Sequence, residues 1–160
     1  MQQPVVHAFF EPQSFTYSYL VWDPQSKEAA VIDPVLDFDA ASGSTSTSSA
    51  EQIMAKVKEH NLTVQWLLET HVHADHLSAA PYLQQKLGGR IGIGAGIVKV
   101  QETFGKVFNE GTEFQRDGSQ FDRLFSDGER YRIGSMEAFA MHTPGHTPAC
   151  MTHVVGDAAF

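Results

Sequence analysis

An α/β fold is predicted by three features of the sequence. The first 32 residues are rich in β-branched and aromatic side chains, helix and strand patterns alternate after residue 48, and an apolar run at 64–68 ends in a cluster of histidines. At 160 residues and 42% hydrophobic content, the chain reads as one domain over 1–160. Its formal net charge of −8 comes with no Lys/Arg cluster longer than two residues, which argues against nucleic acid and anionic membrane surfaces as partners. No apolar run approaches the ~20 residues that a bilayer crossing needs. Met1-Gln2-Gln3-Pro4 lacks the charged and apolar regions of a secretory signal, and a single cysteine suits a reducing compartment. A cytoplasmic location is expected.

Residues 5–10, 15–22 and 28–32 read as three strands, punctuated by Glu11-Pro12, Asp23-Pro24 and Asp33-Pro34. The short spacers between them predict an antiparallel start to the sheet. Asp33 reads as a turn former ahead of Pro34, with support of a metal site from behind as its other open role. Residues 37–49, which include Ser42-Gly43-Ser44-Thr45-Ser46-Thr47-Ser48, read as a flexible loop. Ser48 then fits an N-cap, with Glu51 completing a capping box, and Ile53, Met54, Val57 and Leu62 give a helix of about three turns its apolar stripe.

The strand at 64–68 follows. A second helix is expected over 78–87, with Pro81 in its first turn and Gly88-Gly89 stopping it, then a short strand over 90–93. Gly92-Ile93-Gly94-Ala95-Gly96 lacks the Gly-x-Gly-x-x-Gly spacing, because position 97 is Ile, and reads as a strand-to-helix turn rather than a nucleotide loop. Next come a helix over 98–108 and a long loop over 109–128, anchored by Phe114, Phe121, Leu124 and Phe125. A hairpin of 130–133 with 136–141 and a strand over 149–155 complete the pattern, and 158–160 begins one more strand.

Chemistry is concentrated in Thr70-His71-Val72-His73-Ala74-Asp75-His76-Leu77. Residues two apart in extended backbone project to one side, so His71 and His73 can aim at one point, and Asp75 and His76, past the bend, at a neighbouring one. Packing gives no reason to gather such groups, since burying them unpaired costs several kcal/mol each. Imidazole nitrogen and carboxylate oxygen suit zinc, iron or manganese. A further imidazole, His146, lies in Thr143-Pro144-Gly145-His146-Thr147-Pro148, where glycine permits a tight bend and two prolines stiffen it. His142 reads as strand-end packing, His7, His60 and His153 as ordinary surface or core residues, and Cys150 as a small apolar residue within a strand.

Together, Thr70-His71-x-His73-x-Asp75-His76 and Thr143-Pro144-Gly145-His146-Thr147 resemble the metallo-β-lactamase superfamily, over nearly the whole chain. The resemblance implies an αββα sandwich. Within the superfamily, His71-Val72-His73-Ala74-Asp75-His76-Leu77-Ser78 and His146-Thr147-Pro148-Ala149-Cys150 are most similar to the persulfide dioxygenases, in particular the bacterial β-lactamase-like proteins of sulfide detoxification. These hold one iron(II) with two His and one Asp, and use O2 to convert glutathione persulfide to sulfite and glutathione. By that resemblance His71 and His146 are iron ligands, while His73, Asp75 and His76 stand behind them or go unused. In dinuclear relatives His71, His73 and His146 hold one metal, and Asp75 and His76 help hold the second.

The resemblance also implies an Asp ligand after a strand hairpin in a Gly-Asp context. Gly156-Asp157 comes too early for it, so that ligand is expected past Phe160 and the chain reads as the N-terminal part of such an enzyme. Three functions are therefore open: an iron persulfide dioxygenase, a glyoxalase II-like thioester hydrolase with a dinuclear site, and an inactive fragment lacking the Asp ligand. One iron(II) per chain is the expected cofactor, with zinc, one or two ions, as the alternative. An incomplete sandwich is expected to expose apolar sheet surface, and hence to associate as a homo-oligomer or with the remainder of the enzyme.

Overall fold

The computed structural model describes residues 3–111 and 113–160. The signal-free reading at Met1 and Gln2 lies outside the described residues, as does Thr112 of the expected long loop. In chain order the elements are β1 (Val5–Glu11), β2 (Thr16–Trp22), β3 (Glu28–Ile32), β4 (Val35–Asp39), β5 (Ser44–Ser46) and α1 (Ser48–Glu59). There follow β6 (Thr63–Leu68), β7 (Leu77–Ser78), α2 (Ala80–Leu87), β8 (Arg90–Gly94), α3 (Ile97–Val107) and β9 (Arg123–Phe125). The chain ends with β10 (Arg130–Ile133), β11 (Met136–His142), β12 (Met151–Val155) and β13 (Ala158–Ala159).

A six-stranded sheet in the order β1-β2-β3-β6-β8-β9 forms the centre. Its first three strands are antiparallel, as the short spacers require, and β3, β6, β8 and β9 run parallel. Successive side chains point to opposite faces, so two cores form. Leu20, Val31, Val64 and Leu67 pack under Ile53 and Val57 of α1 and Leu83 of α2. On the other face Val21, Ile32, Trp66, Leu68 and Phe125 meet Ile133, Met136, Ala140 and Val155 of a second sheet, β10-β11-β12-β13. The register shifts between Ala29 and Ala30, opposite Val64 and Trp66, which makes Gln65 a bulge and sends Val64 and Trp66 to different faces. Each fully buried Leu or Ile here contributes ~1.5–3 kcal/mol. The layering is helix, sheet, sheet: three of the four layers of an αββα sandwich.

Three expectations need correction. Residues 37–49 are not a free loop, because β4 and β5 pair as a hairpin and β4 also pairs with β7. Nor does Ser48 cap α1. Thr47 occupies the N-cap without a side-chain cap bond, and its hydroxyl reaches Glu51 Oε1 at 2.9 Å instead. Ser49 is held from outside the helix, its N–H and hydroxyl both donating to the Asp37 carboxylate. Within 109–128, Arg123–Phe125 is not loop but β9, added in parallel to β8. Among the described residues no helix is long and apolar enough to cross a membrane.

Candidate metal centre

The histidine loop hangs from the carboxyl edge of the parallel strands, the edge at which open α/β sheets bind ligands. β3 gives way there to Asp33, and β6 to Glu69. The Asp33 N–H donates to Leu68 O and the Glu69 N–H to Gly92 O, both at 2.9 Å, so the two carboxylates stand on the sheet's own hydrogen bonding. Asp33 takes a φ of 47°, a conformation that Asp tolerates better than most residues. Its carboxylate accepts the Thr70 N–H and the Thr70 hydroxyl, each at 2.7 Å. Asp33 therefore forms the turn and also anchors the start of the histidine loop.

Hydrogen bonding fixes which nitrogen of each ring is left over. The Thr70 hydroxyl gives its proton to Asp33, so at 2.9 Å from His71 Nδ1 it must accept one from that ring. The lone pair of His71 thus sits on Nε2. His73 Nε2 lies 3.1 Å from Asp33 Oδ1 and 3.0 Å from Glu69 Oε2, and donates to them. His76 Nδ1 is 3.3 Å from Asp75 Oδ2. The opposite atoms, His71 Nε2, His73 Nδ1 and His76 Nε2, are buried and have no hydrogen-bond partner among the described residues. A buried nitrogen without a partner costs about 1–3 kcal/mol, so three in one loop call for an occupant.

The charges agree with that arrangement. Burial and the nearby His73 hold the His71 imidazole below its usual pKa, and the same two causes lower His76. Burial alone would lower His73 too, but the bonds to Asp33 and Glu69 outweigh it and raise its pKa to about 10. Glu69 is pushed up, first by burial and then by the Asp33 charge, whereas Asp33 stays low because His73 and Thr70 overcome its burial. Asp33 and Glu69 thus supply the charge that makes His73 a strongly basic donor.

Asp75 Oδ1 lies 3.9 Å from His71 Nε2 and 3.8 Å from His73 Nδ1. These separations are too long for hydrogen bonds and suit atoms that share a cation at about 2.0–2.2 Å each. One ligand atom each from His71, His73 and Asp75 falls within 4.8 Å of the others. Asp75 Oδ1 thus joins the His71–His73 point, and only Oδ2 turns to His76, which departs from the expected division into two pairs. The His73 and His76 rings are 4.0 Å apart. His146, from the distant turn, sets its ring edge-on to His71 with centroids 4.8 Å apart. The His71 and His76 imidazoles with lowered pKa, a carboxylate and unsatisfied buried nitrogens fit a divalent cation, which His73 would join by giving up its Nδ1 proton. Asp157 sits exposed in the β12–β13 turn, outside this group.

Two features bring the His146 turn to this edge. The Met151 N–H donates to Thr70 O at 2.8 Å, tying the base of β12 to the histidine loop. The Gly92-x-Gly94-x-Gly96 run lets the backbones approach: a Cβ on Gly94 would stand 2.5 Å from Met151 Cγ, and one on Gly96 2.9 Å from Ala149 Cβ. His142 is more than strand-end packing, for its Nε2 bonds Pro148 O at 2.9 Å and closes the turn. Cys150 precedes β12 rather than lying in it, and its sulfur takes the Thr147 N–H at 3.1 Å. Glu69 escaped the sequence reading, and Ser78, read as a motif residue and the start of the second helix, lies in β7 instead. Ser78 donates to Glu69 Oε1 and accepts the Ala80 N–H, joining the site to the start of α2. The signal for Glu69 was an acidic residue directly after a fully apolar strand end. A cleft of about 300 Å³ opens beside His71, His73 and His76, walled by Ile91, Ile93 and Phe121.

The sequence matches the metallo-beta-lactamase superfamily over residues 12–160. A probable metallo-hydrolase of Burkholderia pseudomallei is 57% identical over 153 residues, which cover 96% of this chain and 52% of that protein. The mitochondrial persulfide dioxygenase ETHE1 of Homo sapiens is 31% identical over 153 residues, 96% of this chain and 48% of its own. The crystal structure of ETHE1 from Myxococcus xanthus superposes with a TM-score of 0.73 at 25% identity, over 98% of this chain and 56% of that one. The chain spans about half the length of these relatives.

Proposed function

This chain belongs to the metallo-β-lactamase superfamily, and from that premise we propose that it carries the histidine ligands of an iron persulfide dioxygenase acting on glutathione persulfide. The observation that supports the reading most is the meeting of His71, whose buried Nε2 has no partner, with the His146 ring from a turn 75 positions on in the chain. A bound iron(II) supplies a redox-active centre with coordination positions open to O2 and a persulfide sulfur. The chain's residues do the rest. Thr70 and Asp33 hold the His71 ring, Asp33 and Glu69 hold His73, and the bond from His142 to Pro148 stiffens the turn bearing His146. Ile93 and Phe121 wall the adjoining cleft, limiting water beside the reacting sulfur.

A second reading has its own observation. His76 Nε2, with Asp75 beside it, is as unsatisfied as the His71 Nε2 and His73 Nδ1 that face the first point, which leaves a donor for a second ion and a zinc hydrolase of the glyoxalase II type. The 57%-identical relative is named a probable metallo-hydrolase. Metal analysis combined with two assays separates the two. The dioxygenase reading predicts one iron per chain and O2 consumption that requires glutathione persulfide. Two zinc ions, hydrolysis of S-lactoylglutathione and no O2 uptake would replace it with the hydrolase, and absence of metal binding would remove both.

A further inference from the structure

The chain has five arginines, and four of them, Arg90, Arg123, Arg130 and Arg132, line one cleft of about 480 Å³. The cleft lies where β6, β8 and β9 begin, the opposite ends of the strands from the histidines. Among the described residues only one carboxylate, Glu129, shares its lining, in a molecule whose overall charge is −8. We propose that this cleft binds a small phosphorylated molecule.

The floor is rigid. Trp66 is 4% exposed and its Nε1 donates to Arg132 O at 2.9 Å, Phe125 is 1% exposed, and the Tyr131 hydroxyl is 3.0 Å from the buried His153 Nδ1. The Arg90 guanidinium lies 4.0 Å from the centre of the Trp66 ring, a contact that holds its fork in place without neutralising it. Arg123 pairs with Glu129, its Nε 2.9 Å from Oε1. Among the described carboxylates Arg130 and Arg132 face the exposed Glu137, at 3.7 and 3.5 Å, outside ordinary charge-assisted hydrogen-bond lengths, and Arg132 Nη1 also donates to Ser135 O at 3.5 Å. The rim thus holds more positive charge than its carboxylates offset.

Planar guanidinium forks match carboxylates and phosphates. A carboxylate brings two oxygens and one charge, whereas a phosphate monoester brings three terminal oxygens and ~1.5–2 charges at pH 7, which suits several forks at once. The volume falls within the range of small-molecule sites, and the aromatic floor can carry the organic part of a ligand.

Calorimetric titration of the metal-loaded protein with AMP and, separately, with inorganic pyrophosphate tests this at about 150 mM sodium chloride, where loose surface attraction is screened. Saturable one-to-one binding at or below about 1 mM is expected for at least one probe. It should weaken at least tenfold in the double variant Arg123→Gln/Arg130→Gln and in Arg132→Glu, and persist in His71→Ala. The substituted side chains are well exposed, so these variants keep the fold, as circular dichroism would verify. Binding of AMP alone assigns the site to an organic phosphate, and binding of pyrophosphate alone to an inorganic one. Failure of both probes to saturate overturns the proposal. So does binding that survives the arginine changes and disappears in His71→Ala, which would place the ligand at the histidines.

Discussion

Among individual residues, Asp33 governs most of the site, because one carboxylate holds Thr70, orients His73 and, through Thr70, fixes the proton on His71. Asp33→Asn keeps the shape and removes the charge. Partners behind a metal ligand typically influence affinity by about 10–100-fold, so zinc binding measured by competition with a chromophoric chelator should weaken in that range. An unchanged affinity would mean that Asp33 serves the turn alone. Asp33 is legible in the sequence as a turn residue before proline with support of a metal site left open, and deciding for that second role requires Thr70 to fold back over it. Glu69 was hidden for a similar reason. A single acidic residue after an apolar run looks like a solvated strand end until the topology buries it against His73 and Ser78.

Among the elements, the strands and helices follow from local pattern almost throughout, while their meeting points do not. Residues 64–68 read as a buried strand from their apolar run, but nothing local announces the bulge at Gln65 that distributes Val64 and Trp66 between two cores. The serine-rich 37–49 stretch looks disordered by composition, yet β4 and β5 pair there and Asp37 ties the hairpin to α1. The glycine run in and after β8 forms the strand-to-helix turn its spacing predicts, and its purpose appears only when Met151 and Ala149 press against it. Gly96→Val should be costly in a specific way. The new side chain meets the Cβ and backbone Cα of Ala149, at 2.9 and 3.2 Å from its first carbon, and must displace the turn that carries His146. Overpacking of this kind costs about 1–3 kcal/mol, to be read from urea denaturation, together with a loss of metal affinity. Full stability and affinity in the variant would show that the glycine does not position the turn.

The molecule as a whole depends on contacts that join its two sheets, and Asp23 makes several. Only 1% exposed, it accepts bonds from Ser26 and Gln25 beside it and from the N–H and hydroxyl of Ser135 in the β10–β11 turn. Burial opposes its ionisation, but these bonds outweigh that and hold its carboxyl well below the ordinary range. A depressed carboxyl stabilises the fold above its unfolded value, near 3.9, and loses that contribution as pH falls toward the folded value. Asp23→Ala should therefore cost about 3 kcal/mol at neutral pH, with the gap from wild type narrowing as the medium is acidified below about pH 4. A gap that stays constant with pH would assign the effect to packing.

The proposed centre requires imidazoles from two distant turns to grip one ion, and X-ray absorption at the metal edge of the loaded protein tests that most directly. Wild type should show scattering from at least two imidazoles at about 2.0–2.1 Å, with one lost in His71→Ala and one lost in His146→Ala. Spectra unchanged by either substitution would show that the ion, if bound at all, is held elsewhere.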